Sequence, residues 1–295
     1  MVKIRYIERK SGQIKYENVP SEGMLNWLYG SVSGNLTLSL LFKRKVISEQ
    51  GGIYMNTRRS ANRIPAFIKE HNIDLNEYEI NTPEGFKTFN EFFYRKLKPG
   101  ARPIGSGVIS PADGKILVFP NLKDVPSFFV KDIEFNLESF LRLKEPAHKY
   151  ADGAMAIIRL APPDYHRYHF PASGKASASV KIKGHYFSVS PLALKQSLKI
   201  FCENKREYCI LQTPDYGDIL IADVGATMVG SIIQTYTPNS EVQKGDEKGY
   251  FAFGGSTLVL LFEKGKIQFD NDLIENTQKR LETAVKMGET IAQRN

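Results

Sequence analysis

The chain has 295 residues, 42% of them hydrophobic, enough for one large domain or two small ones with a core that needs no disulfide or metal staple. Its formal net charge of +8 suits an anionic partner without choosing among nucleic acid, a membrane surface and an acidic ligand. Cys202 and Cys209 match no metal spacing and read as reduced thiols of an intracellular protein. The N-terminus has no apolar stretch of signal-peptide type, and no segment reaches the roughly 18 uncharged apolar residues of a transmembrane helix, so the expectation is a protein that can lie on a membrane but does not span one.

In chain order, residues 2–19 predict a hairpin: Lys3-Ile4-Arg5-Tyr6-Ile7 against Gln13-Ile14-Lys15-Tyr16 through Ser11-Gly12. Ser21 is a candidate N-cap for a short helix with Met24, Leu25, Trp27 and Leu28. A second helix, from about Asn35 to Glu49, is leucine-rich and closes on Lys43-Arg44-Lys45. A third, Thr57 to His71, is interrupted at Pro65, and a fourth runs from Thr88 to Lys96. Apolar helices beside a basic run suit an interfacial membrane anchor, although pattern alone favours helices packed on the rest of the domain.

From Val108 the texture changes to short β-rich runs separated by turn residues. They are residues 115–119, 154–160, 177–182, 208–212, 218–222, 225–232 and 257–262. One helix, Ser190 to Asn204, interrupts them, and a last helix, about Asn271 to Met287, closes the chain. The expected fold is therefore α+β. It has a mainly antiparallel sandwich or barrel-like core over residues 106–295, preceded by a hairpin and helical docking region over 1–105.

Three segments can carry chemistry. Ser110-Pro111-Ala112-Asp113-Gly114-Lys115 puts an aspartate on a turn before a strand, a common arrangement with no function of its own. Pro162-Pro163-Asp164-Tyr165-His166-Arg167-Tyr168-His169-Phe170-Pro171 holds two of the five histidines three apart in a stretch whose prolines oppose a helix. Acid–base work ranks first for this pair, core packing second and zinc third, because zinc needs further ligands that have no matching spacing. Phe253-Gly254-Gly255-Ser256-Thr257 runs into Leu258-Val259-Leu260-Leu261-Phe262. It reads as a hairpin turn, or as a glycine-rich backbone that lets a serine hydroxyl approach the preceding carbonyl. Attack of Ser256 Oγ on the Gly255 carbonyl carbon would turn the amide into an ester. β-Elimination would then cut the chain and leave dehydroalanine, which loses ammonia to water and becomes a pyruvoyl group.

Taken in order, these three segments resemble phosphatidylserine decarboxylase proenzymes, as do Phe89-Asn90-Glu91-Phe92-Phe93-Tyr94-Arg95-Lys96-Leu97-Lys98-Pro99-Gly100-Ala101-Arg102-Pro103-Ile104 and Tyr186-Phe187-Ser188-Val189-Ser190-Pro191. The similarity covers nearly all of the chain after about residue 20. It departs from the family's frequent pattern at Gly254, where leucine is common, and at Ser188, where asparagine often stands. The resemblance implies self-cleavage between Gly255 and Ser256, with Asp113, His169 and Ser256 as the charge-relay set and His169 as the base. It implies a pyruvoyl group made from Ser256, with no metal and no pyridoxal phosphate, that takes the substrate amine as a Schiff base. His166 would serve decarboxylation.

Cleavage would yield a β chain of residues 1–255 and an α chain of residues 256–295 that stay together. The implied partners are phosphatidylserine and an anionic membrane surface, with no nucleic acid and oligomeric state left open. The implied location is the cytoplasmic side of the cell membrane, held peripherally with residues 24–45 docking. Arg167 and Lys131, with the Arg95-Lys96 pair, are candidates to hold the phosphate. Two competing readings are a non-catalytic basic binding module, whose chain stays intact, and a zinc hydrolase built on His166 and His169.

Overall fold

A computed structural model describes residues 4–17, 52–124, 137–184, 202–225, 231–252, 254 and 256–295. The expected docking stretch 24–45, Lys131, residues 186–191, most of the Ser190–Asn204 helix, Phe253 and Gly255 lie outside the described residues.

The N-terminal hairpin forms as its alternation predicts, with β1 (Ile4–Glu8) antiparallel to β2 (Ile14–Glu17). The Thr57–His71 segment is a 3-10 turn, Arg58–Arg63, followed by α1 (Ile64–His71). Pro65 stands in the first turn of α1, where its missing N–H costs nothing, so it starts this helix rather than kinking one. In α2 (Phe89–Phe93), the Thr88 hydroxyl accepts from the Glu91 N–H as an N-cap. Phe89, Phe92 and Phe93 gather with Met55, Ile64 and Tyr78 into a satellite apolar cluster.

Among the described residues the main sheet has eleven strands. Along its path run β12 (Ser240–Val242), β7 (Gly174–Ala176), β9 (Arg206–Thr213), β10 (Gly217–Gly225), β14 (Ser256–Phe262), β5 (Ala154–Leu160), β4 (Gly114–Phe119), β16 (Glu282–Val285), β1 and β2, with β8 (Val180–Ile182) on β9. Its pairings are antiparallel except β1 with β16. β5 and β14 are buried along their whole length because both faces are covered. Leu258, Leu260 and Phe262 join one core with Ile158 and Leu160, while Val259 and Leu261 join the other with Met155 and Ile157. A strand covered on both faces reads as a continuous apolar run, and these two do. On the second face Phe140 of α3 (Leu137–Leu141) and Tyr150 of α4 (Lys144–Tyr150) close the core.

Two three-stranded sheets complete the fold: β11 (Ile232–Gln234), β13 (Glu247–Phe251) and β6 (Arg167–His169), and β15 (Ile267–Phe269), β17 (Thr290–Arg294) and β3 (Val108–Ile109). The α+β class holds, but among the described residues the sheets do not close into a barrel: the long sheet ends on β12 and β2. The expected terminal helix is also corrected. Only α5 (Asn271–Gln278) is helical, and Arg280 at φ 59° stops it. Beyond it, the alternation of Glu282-Thr283-Ala284-Val285 buries Thr283 and Val285 against β4 as a strand. No described helix is long and apolar enough to cross a membrane.

Candidate functional site

Ser256 opens β14 in the middle of the main sheet. Its register partners are Gly225 on β10 and Leu160 on β5, and it is fully buried. Just upstream, Gly254 is at φ 141°, a region that side chains other than glycine rarely enter. The serine is thus held in the sheet on its C-terminal side, with Gly254 two residues upstream in a region that favours glycine.

The strand that pairs with Ser256 also delivers its nearest partner. β5 ends at Leu160, the chain turns through Ala161–Tyr165, and His166 comes back over the serine with Nδ1 3.2 Å from Ser256 Oγ. His166 Nε2 lies 3.0 Å from the Ala161 carbonyl oxygen. A carbonyl only accepts, so Nε2 carries the ring proton. Burial, and then the positive charge of Arg95, push the His166 pKa down to about 3, so the ring is neutral. Nδ1 is therefore a bare acceptor facing the serine hydroxyl. Phe93 stacks on the ring at 3.8 Å between centroids and shuts out water from that side.

His169 lies on β6 and is engaged elsewhere. Its Nδ1 donates to Gly245 O at 2.9 Å, and its Nε2 accepts from the Tyr165 hydroxyl at 3.0 Å. Burial lowers its pKa as well. Asp113 sits at the mouth of β4, its carboxylate taking Arg102 Nε at 3.2 Å, Arg102 Nη2 at 2.8 Å and the Met287 N–H at 2.8 Å. Arg102 is itself held by Glu77 at 2.9 Å. The segments of Asp113 and His169 touch through the His169 N–H on Pro111 O, 2.8 Å. Among the described residues no hydrogen bond joins Asp113 to His169, or His169 to Ser256. The three motifs therefore converge, but the imidazole on the serine is that of His166.

Arg167 is buried and its charge is matched, with Nη1 2.9 Å from each Glu247 oxygen and Nε 2.8 Å from Tyr94 O. With Arg95 and Lys96 it lines a cleft of about 270 Å³ that also carries Glu79 and Glu91. Among the described residues Arg95 Nε, a buried donor, has no hydrogen-bond partner. Lys131 lies outside the described residues. Among the described residues no three His, Cys, Asp or Glu side chains converge as a metal site, which leaves the zinc reading without a donor set there.

Sequence reasoning did not single out Arg102, Tyr165 or Phe93 for the site. Arg102 and Phe93 fall in the long segment that carries the resemblance, but nothing in spacing ties them to Asp113 or His166. Tyr165 adjoins a histidine, and its bond is to the other one.

A family model described as phosphatidylserine decarboxylase matches residues 89–293. A protein of Fusobacterium nucleatum named phosphatidylserine decarboxylase proenzyme is 53% identical over 97% of this chain and 96% of its own length. Proteins with the same name from Clostridium novyi and Desulfitobacterium hafniense are 47% and 44% identical, covering 98% and 99% of both chains.

Proposed function

The chain belongs to the phosphatidylserine decarboxylase family and is a decarboxylase, and we propose on that premise that it makes its own catalytic group from Ser256. The observation that carries the proposal is a buried serine at the start of a central strand, with a neutral imidazole on its hydroxyl and Gly254 upstream in a region that favours glycine. Loss of the Oγ proton lets that oxygen attack the Gly255 carbonyl, and the chain divides before residue 256. The pyruvoyl group so formed supplies an electron sink for the carbanion left when CO₂ departs from phosphatidylserine, giving phosphatidylethanolamine.

The chain's own residues prepare both stages. Asp113, His169 and Ser256 form the processing set that the resemblance implies, and His166 serves decarboxylation from its place against residue 256. The Arg102 clamp fixes the Asp113 side chain beside the histidine segment. The 3.2 Å contact favours a second reading of the first step, in which His166 takes the hydroxyl proton. It already presents a bare nitrogen, whereas both ring nitrogens of His169 are occupied.

Intact-mass measurement of freshly purified protein tests the function. Two fragments are expected, the smaller with a carbonyl-bearing N-terminus, and Ser256→Ala should stay whole and inactive. A Ser256→Ala variant that still decarboxylates phosphatidylserine would sink the mechanism.

The protein works peripherally on the cytoplasmic face of the cell membrane, docking through residues 24–45, whose apolar residues and basic run suit an anionic lipid surface. Co-sedimentation with anionic vesicles should weaken on deletion of those residues; undiminished binding would move the anchor elsewhere.

A further inference from the structure

The lysine after the Ala112-Asp113-Gly114 turn and the aspartate before Tyr165-His166 form a buried ion pair that no step above uses. Lys115 Nζ reaches both oxygens of Asp164, at 2.9 and 2.8 Å, with the two side chains only 9% and 17% exposed. Ion pairs this enclosed cost desolvation and contribute little net stability, so their retention calls for another reason.

The reason lies in the second set of contacts that Asp164 makes. Its Oδ2 accepts the Ala161 N–H at 2.7 Å, while its own N–H donates to Ala161 O at 2.9 Å. These two bonds close a tight turn and hold Ala161 at both its N–H and its carbonyl. The same Ala161 carbonyl receives His166 Nε2–H. The order of contacts is thus Lys115 to Asp164, Asp164 to the Ala161 peptide, the Ala161 carbonyl to His166 Nε2, and His166 Nδ1 to Ser256 Oγ.

We propose that Lys115 and Asp164 are positioning residues that fix the tautomer of His166, keeping the proton on Nε2 and the lone pair of Nδ1 toward Ser256. This rests on the reading that His166 acts at residue 256. Without the clamp the Ala161 carbonyl is held by the Asp164 N–H alone, and its hold on Nε2 loosens. The ring then also populates the form with the proton on Nδ1, which donates to the serine hydroxyl and cannot accept from it.

Lys115 has a further effect on the ring. Its charge, with that of Arg95, opposes protonation of His166. The other cation beside it, Arg159, is taken up by Glu17 and Glu282, leaving Lys115 to hold Asp164.

The test uses the full-length chain. Imidazole ¹⁵N NMR on the uncut Ser256→Ala protein reads the tautomer directly, with the His166 signals identified by their loss in a His166→Gln variant. Asp164 intact should give the Nε2–H form alone. Adding Asp164→Ala should yield a mixture, while Asp164→Asn, whose amide oxygen still accepts the Ala161 N–H, should keep the Nε2–H form.

On the Ser256 background, Asp164→Ala should slow decarboxylation about tenfold or more, short of the full loss of a proton-transfer group, and Asp164→Asn should restore most of the rate. Lys115→Met, which leaves the turn sequence untouched, should shift both readouts in the same direction and keeps the test open if Asp164→Ala does not fold. An unchanged tautomer in both Asp164→Ala and Lys115→Met overturns the positioning, even if decarboxylation slows. A changed tautomer with cleavage and decarboxylation at the original rates upholds the positioning and overturns the reading that His166 acts at residue 256.

Discussion

A serine hydroxyl holds its proton far too firmly at neutral pH to attack an amide unaided, so the chemistry of residue 256 is decided by which imidazole relieves it. Two are within a few residues of each other, and their surroundings differ. His166 is neutral, proton on the far nitrogen, touching Oγ; His169 is neutral and bonded on both sides. His169→Ala is expected to leave the chain uncut, and His166→Ala to cut but to decarboxylate at least about a hundredfold more slowly, the lower range for a proton-transfer group. A denaturing gel followed by a decarboxylation assay separates them. An uncut His166→Ala beside a normally cut His169→Ala would instead assign the first proton to His166.

The depressed pKa values also set a direction for stability. His166 falls from 6.5 to about 3 and His169 falls as well, so below pH 6.5 the unfolded chain binds protons that the folded chain refuses. Stability is full above that value and is lost as pH drops from 6.5 toward 3. A urea midpoint that does not fall over this window would contradict the buried, neutral state of both rings. The serine, the aspartate and both histidines were legible as residues, because glycine, proline and histidine punctuate the sequence around them. Their partners were not: Arg102 for Asp113, Lys115 for Asp164 and Phe93 for His166 meet through tertiary contacts that leave no periodic trace.

At the scale of elements, legibility follows how a strand is covered. β5 and β14 were readable because burial on two faces demands unbroken apolar residues. The three-residue strands were not, and β13 shows why. Its register slips between Glu247 and Gly249, a bulge that turns Lys248 into the interior, where it is fully buried against Asp223 of β10. Gln234 bridges the two, accepting from Lys248 at 3.0 Å and donating to Asp223 at 2.7 Å. A charged residue on an alternating segment reads as outward-facing, and the bulge reverses it.

The pair ties the small sheet that carries His169 to the strand beside Ser256. Lys248→Met should leave a buried carboxylate without its cation and destabilise the uncut Ser256→Ala protein by about 3–5 kcal/mol in urea unfolding. Adding Asp223→Leu should recover most of that. A single substitution with no effect would mean that the pair does not hold the sheets together.

For the whole molecule, the consequence of the proposed cleavage depends on where the segment after Gly255 is threaded. Residues 256–295 are not an appendage. β14 lies between β10 and β5, β16 lies between β4 and β1, and β17 pairs with β3. Each of these neighbours belongs to the other side of the cleavage point. The Met287 N–H reaches Asp113, Thr277 Oγ1 accepts from Val118 N, and Arg9 grips Asp270 and Asp272. Leu258, Val259, Leu260, Leu261 and Phe262 are each 1% exposed or less. At roughly 1.5–3 kcal/mol for each buried side chain, β14 alone contributes on the order of 10 kcal/mol toward holding the fragments, before any ladder bonds are counted. The two fragments should therefore co-elute by gel filtration after complete cleavage and separate only in denaturant. Separation under native conditions would mean that the cut releases β14 from the sheet, and the group formed at residue 256 would lose the buried place against His166 on which its chemistry depends.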